Sequence, residues 1–421
     1  MGSSGRGRAL DTYREVIGLT GPLLPGVSFL GRLPTATIQF GSVLLVARTS
    51  GSLGAAGLTG GALAVGQVLC GPLVGRLADR HGQRTVVLAF SLANALAITA
   101  LVCGALAGLA TPWLVLLGAC AGASVPLVGP LARARLVALA RRHKAPEPVV
   151  GAALSFESTL DEVSFVLGPA LVGLAAVLAH PAHALLAAAL LVGLCGGAFA
   201  LHPTAAVTRS AAVRRTGAPG RMPRTVHSLR AALALQGAMF GACQAGITAL
   251  TERLGRPEQA GLVYAAMGVM SAVAGLAMAA VPARVGLPAR WRAATAAAFA
   301  LSLPLLWTDS LAGLYAVVTV LGVAYAPHLI TVFGLTERVV PPARLAEAMA
   351  VATSALVAGQ ALAVAVTGRL AETYGPAAAF GAASLAAALA CALALTARTG
   401  SYAARETPGH EGVAGRPRTR S

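Results

Sequence analysis

Residues 157–173 read ESTLDEVSFVLGPALVG. Three carboxylates, Glu157, Asp161 and Glu162, fall within six positions of an otherwise apolar run. Acids in such a setting have two uses. They can pair with buried cations as a fixed ionic lock, or they can take up and release a proton, because burial and neighbouring charge decide whether a carboxyl group keeps its proton. Glu157 and Asp161 are four residues apart and share a helix face, whereas Glu162 points about 100° away. The Gly168–Pro169 pair that follows removes a backbone hydrogen bond and favours a kink.

The surroundings of this helix are set by composition. The chain has 421 residues, 56% hydrophobic and 11% charged, with a mean hydropathy of +0.74. A soluble domain is about one quarter charged. Twelve apolar segments can be read, at 21–47, 53–74, 85–109, 112–136, 150–178, 182–202, 229–250, 258–282, 292–308, 311–335, 346–368 and 376–397. Segments of roughly 20 residues cross about 30 Å of hydrocarbon, and unpaired backbone groups are not tolerated there, so each is expected to be a helix. The predicted fold is all-α and membrane-embedded, with a tail (1–20), six spans (21–202), a central loop (203–228), six more spans (229–397) and a disordered tail (398–421).

Basic residues set the expected orientation. With both termini cytoplasmic, 27 Lys or Arg lie in or at the edges of the inner segments and 4 lie outside, a positive-inside asymmetry. This distribution accounts for the net charge of +17 without nucleic acid as a partner. The segments pointing inward in span 4 (ASVP, 123–126) and span 10 (AYAP, 324–327) faintly echo each other, as do GPALVG (168–173) in span 5 and GQALAV (359–364) in span 11. Related six-helix halves are common among secondary transporters.

Span 5 can now be weighed. Its 13 Leu, Val and Phe residues favour insertion by about 6 kcal/mol, and three central carboxylates oppose it by about 9 kcal/mol. The acids must be shielded, paired or protonated. Arg32 and Asp161 each lie 11 residues into their spans, some 16 Å deep at about 1.5 Å per residue. Arg32 and Asp161 are therefore matched in depth, and Arg133 and Arg135 lie at a depth suited to Glu157.

The loop between spans 2 and 3 reads GRLADRHGQR, residues 75–84. It resembles the signature loop of the major facilitator superfamily, matching at Gly75, Leu77, Asp79, Arg80, Gly82 and Arg84. The corresponding stretch of the second half, 283–292 (ARVGLPARWR), lacks the Asp. The resemblance implies twelve helices in two lobes around a central cavity, with helices 1 and 5 as neighbours, which makes Arg32 the expected partner of Asp161 or Glu162. It also implies a cytoplasmic gate in which this loop meets the start of span 11, near residues 344–347. An anion such as Asp79 suits the positive end of a helix. The FVLGPALVG stretch is similar to the helix-5 Gly-Pro motif of the superfamily's drug antiporters at Gly168, Pro169 and Gly173. That likeness implies close packing of helix 5 on helix 8 and tilts the reading towards export. A simple packing kink is the alternative.

In the superfamily helices 1, 4, 7 and 10 line the cavity, which makes Arg32, Thr35, Gln39, Gln236, Phe240, Gln244, Tyr325, His328 and Thr331 the candidate substrate contacts. His328 alone has an ordinary pKa near neutrality. Six cysteines, all in apolar blocks and without CxxC spacing, indicate neither a metal site nor a disulfide framework. No nucleotide-binding GxxxxGK[ST] run and no HExxH set appears, which disfavours ATP drive and metalloenzyme chemistry. The expected function is proton-coupled export of a small, moderately hydrophobic compound by a cofactor-free monomer in the cell membrane. Proton coupling is assigned to Asp161, Glu162, Glu157 and Arg32. Metabolite import is the alternative, and a non-transporting sensor a distant one.

Overall fold

The computed structural model describes residues 3–207, 222–257, 259–282 and 284–397. The central-loop arginines Arg209, Arg214, Arg215 and Arg221 and the tail 398–421 lie outside the described residues. Among the described residues every regular element is helical.

The first lobe holds α2 (Leu23–Ser50, span 1), α3 (Leu53–His81, span 2), α4 (Gln83–Leu106, span 3), and α5 (Thr111–Ala123) with α6 (Val128–Arg142), which together form span 4. It ends with α7 (Glu147–Leu178, span 5) and α8 (Pro181–Leu191), joined by a π turn at Val192–Gly196 to α9 (Gly197–Leu201) in span 6. The second lobe holds α10 (Thr225–Arg253), α11 (Gln259–Ala277), α12 (Leu287–Ser302), α13 (Leu311–Val339), α14 (Leu345–Tyr374) and α15 (Pro376–Thr396), spans 7 to 12. Eleven of the twelve spans are long and apolar enough to cross a membrane. The exception is span 9, where α12 has 16 residues and passes at Leu303 into a 3-10 turn containing Pro304. Residues 3–20, expected only as a tail, form an α-helix, α1 (Ser3–Thr20). Its Tyr13 hydroxyl donates to the Leu276 carbonyl of α11 (2.9 Å).

Two features depart from the sequence reading. The echo between ASVP and AYAP does not carry into structure. α13 runs through Pro327 unbroken, whereas span 4 is interrupted between Ser124 and Leu127, and Leu127 is left-handed (φ 50°, ψ 44°). The expected helix-5 glycine seam against helix 8 is also reversed. Gly168 faces Ala36 and Thr37 of α2, and Gly173 has open space around it. The close approach of α7 to α11 uses glycines of α11 instead, with Gly268 receiving Val166 and Gly275 receiving Thr159.

Each lobe has its own apolar core, around Ile38, Leu45 and Leu101 in one and Ile247, Leu314 and Phe380 in the other. A further cluster joins the lobes, bringing Val74 and Ala78 of α3 together with Ala346, Met349 and Ala350 of α14. Large side chains such as Leu69, Val177 and Leu362 stay exposed on the outer surface. In lipid that surface needs no cover, because the solvent is as apolar as the side chains.

Candidate functional site

The signature loop seals one end of the molecule. Gly75 lies against α14 so closely that a Cβ there would run into Ala350 and the Ala346 carbonyl. One turn later Asp79 accepts the backbone N–H groups of Ala346 (3.2 Å) and Glu347 (2.7 Å), at the start of α14. An anion there satisfies helix N–H groups that have no intrahelical partner and meets the positive end of the helix dipole. Arg80 and Arg84 are exposed and make no ion pair among the described residues. The arginine that closes the seal is Arg76, an unspecified position of the motif, paired with Glu347 (3.0 Å). Arg344 also holds Glu347 (2.8 Å), Arg141 pairs with Glu337, and Arg338 reaches Glu147 (3.3 Å). Gly82 ends α3 with φ 85°, a value that glycine adopts without penalty.

Deeper, between the lobes, lies the charge cluster. All five donors of the Arg32 guanidinium find acceptors. Nε donates to the Ser28 carbonyl (3.2 Å), one amino group to the Glu157 carbonyl (2.9 Å) and Asp161 Oδ1 (2.8 Å), and the other to Ser28 Oγ and Glu157 Oε2. Asp161 gives its second oxygen to Arg133 of α6. The expected Arg32–Asp161 pairing is present. The assignment of Arg133 and Arg135 to Glu157 is not: Arg133 takes Asp161, and Arg135 donates to Gln83 Oε1 (2.9 Å) and the Phe199 carbonyl (2.8 Å). Glu162 is buried, faces Ser271 of α11, and makes no ion pair among the described residues.

A cavity opens between the lobes beside this cluster. Arg32, Thr35, Asp161, Glu162, Phe240 and Tyr325 border it, and the Phe240 and Tyr325 rings lie 5.4 Å apart, tilted by 45°. The other sequence candidates stand back. Gln39 donates to Gln67 (3.1 Å), Gln236 to the Tyr325 carbonyl (2.8 Å), and Gln244 accepts from Gln360 (3.4 Å). Thr331 bonds its own helix at the Pro327 carbonyl, and His328 is buried against Trp291, whose Nε1 lies 3.3 Å from His328 Nε2.

The family model described as Major Facilitator Superfamily matches residues 26–308 and 231–420. The chain belongs to this superfamily. No curated protein matches it. Among solved structures of the superfamily's fold it is similar to the human organic anion transporter MFSD10, at 20% identity and a TM-score of 0.66, covering 93% of this chain and 99% of that one. A bacterial homologue of the iron transporter ferroportin in its outward-facing state matches at 18% identity and a TM-score of 0.67, over 89% and 98% of the chains. The Escherichia coli fucose:proton symporter matches at 14% and 0.61, over 89% and 97%. These likenesses establish the fold, and with the family match they make the chain a membrane transporter rather than an enzyme.

Within this superfamily frame the sequence missed Gln67 on α3 and Gln360 on α14, because helices 2 and 11 were not read as cavity walls, yet both border the cavity. It also missed Phe333, whose ring lies 4.0 Å beneath the Arg133 guanidinium and carries that contact across the two lobes. Phe333 lies in the same apolar run as the candidates of α13, where nothing in its type separates it from lipid-facing neighbours.

Proposed function

We propose that this chain is a proton-coupled secondary transporter that exports a small, moderately hydrophobic compound across the cell membrane by alternating access, as a monomer with both termini cytoplasmic. The observation that carries the coupling is the balance of the buried cluster. Two guanidiniums, Arg32 and Arg133, face three carboxylates, and the ion pairs use Glu157 and Asp161. Glu162 is the carboxylate left over. Ionised, it adds a negative charge that no ion pair among the described residues answers, and a proton on Glu162 removes that charge. A buried ionic group without a counter-charge is expensive in a bilayer, so the protonated form is the one in which the lobes can move past each other. Glu162 sits on that seam, on α7 opposite Ser271 of α11.

The aromatic and aliphatic wall opposite the charges suits an apolar substrate body, and the Gly168–Pro169 likeness to drug antiporters favours export. With the termini cytoplasmic, the Asp79 seal is the inner gate. The test begins with a compound whose accumulation in cells depends on the gene. In everted vesicles, Glu162→Gln should abolish accumulation driven by a pH gradient while sparing energy-independent exchange. Full gradient-driven accumulation in that variant refutes the assignment.

A further inference from the structure

The interruption of span 4 places a helix N-terminus inside the transporter. α6 starts at Val128, straight after left-handed Leu127, and has no side-chain cap. The leading N–H groups of a helix have no intrahelical partner, and the helix end carries partial positive charge. This end borders the central cavity through Leu127, Val128, Gly129 and Pro130. Asp161 lies beside it: a Cβ on Gly129 would lie 2.8 Å from Asp161 Oδ1, while the carboxylate itself accepts from Arg32 and Arg133.

One turn further on, Arg133 borders the same cavity and is 1% exposed. One of its amino groups meets Asp161, its face is covered by Phe333, and its Nε–H has no hydrogen-bond partner. A buried donor left unmade is costly. Here a single carboxylate is divided between Arg32 and Arg133, beside a helix end that has no side-chain cap. A second oxyanion would meet the open demand, since a guanidinium fork receives two oxygens side by side. Facing this positive corner is an apolar wall that includes Phe165, Phe240, Tyr325 and Leu329.

We propose that the transported compound is an amphiphilic carboxylate, whose anionic group takes the uncapped N-terminus of α6 and replaces Asp161 on Arg133 while its apolar body lies against the aromatic wall. This rests on the reading of the cavity as the transport site. Asp161 is then an internal stand-in for the substrate. It keeps the arginine paired while the cavity is empty.

The purified full chain in detergent is offered naphthoate, naphthamide and naphthylmethylammonium, three probes with one apolar body and different charge. Equilibrium binding should favour naphthoate over the other two. Asp161→Asn should tighten naphthoate about tenfold or more, since a hydrogen bond to a charged group is worth roughly 1.5–3 kcal/mol, and adding Arg133→Gln should remove the gain. Should Asp161→Asn fail to fold, Arg133→Lys, which keeps the charge and loses the fork, should weaken naphthoate and leave naphthamide unchanged. Ammonium bound as well as naphthoate, no binding of any probe, unaltered naphthoate affinity in Asp161→Asn, or unaltered affinity in Arg133→Lys overturns the proposal. The Glu162→Gln transport assay reads separately. Failed naphthoate binding with the Glu162 result intact refutes the anion subsite alone, and naphthoate binding with full gradient-driven transport in Glu162→Gln refutes the coupling alone.

Discussion

Asp161→Asn is the substitution whose consequence the structure fixes most closely. Asp161 accepts from two guanidiniums, Arg32 (2.8 Å) and Arg133. The amide keeps the shape and removes the charge. The two arginines then fare differently. Arg32 retains Glu157 and Ser28. Arg133 loses the carboxylate it is bonded to and is 1% exposed. Breaking a buried pair by removing one partner costs about 3–5 kcal/mol. The Asp161 side chain is 20% exposed, so cavity water reaches the site and the lower figure, about 3 kcal/mol, is expected. At about 1.4 kcal/mol per factor of ten, that lowers the folding equilibrium more than a hundredfold. Unfolding of the purified variant in mixed micelles of dodecyl maltoside and dodecyl sulfate measures it. Adding Arg133→Gln should restore most of the loss by removing the orphaned cation. Adding Arg32→Gln instead should deepen the loss, because Glu157 then loses its own partner. Wild-type stability in Asp161→Asn, or rescue by the Arg32 substitution and not by the Arg133 one, refutes the assignment of Asp161 to Arg133.

At the seal, Asp79→Asn gives up the charge on two backbone contacts with α14 and should destabilise the sealed state by about 1–2 kcal/mol. Spin-label distances between the ends of α3 and α14 report the shift, and an unchanged distribution counts against the gate. Gly75→Leu should prevent closure outright while leaving each lobe folded, since the new side chain enters the space of Ala346 and Ala350; a normal sealed population in that variant would show that the contact gives way. For orientation, a cysteine replacing Arg214 in a Cys-free background should be labelled only from the cytoplasmic side, and labelling from outside would overturn the topology.

The architecture was legible because lipid imposes few choices. Backbone pairing forces helices, and length and hydropathy locate them, so even span 9 was found although its helix breaks at Pro304. The seal was legible because Gly75 and Asp79 do one thing each: the first allows contact, the second receives two N–H groups. The charge cluster was half legible. Counting residues at a constant rise placed Arg32 level with Asp161, and the two do pair. The same count failed for Arg133, because span 4 is not one helix. The interruption between Ser124 and Leu127 breaks the regular rise, and it brings Arg133 to Asp161 rather than Glu157. Pro126 was a signal of that break, weakened by Pro327, which sits in an unbroken helix. For Gly168 the residue type announced close approach, but a glycine has no side chain to say which neighbour it admits.

The break in span 4 also gives the proposed coupling a physical route. Leu127 is a left-handed residue with a side chain, a conformation that costs on the order of 1–3 kcal/mol and persists only where its surroundings hold it. Those surroundings include Gly71 of α3: a Cβ there would lie 3.6 Å from Leu127 Cδ1, and it would also strike Ser354 of α14. The same two helices form the seal one turn further along, at Gly75 and Asp79. Parting α3 from α14 at the seal therefore loosens the packing that holds Leu127, and Leu127 sets where α6 begins. α6 in turn carries Gly129, which lies against Asp161, and Arg133, which pairs with it. Opening the gate and releasing the acid are thus events of one connected set of contacts. A helix that ran unbroken through residues 124–127 would give the gate no such hold on the charges.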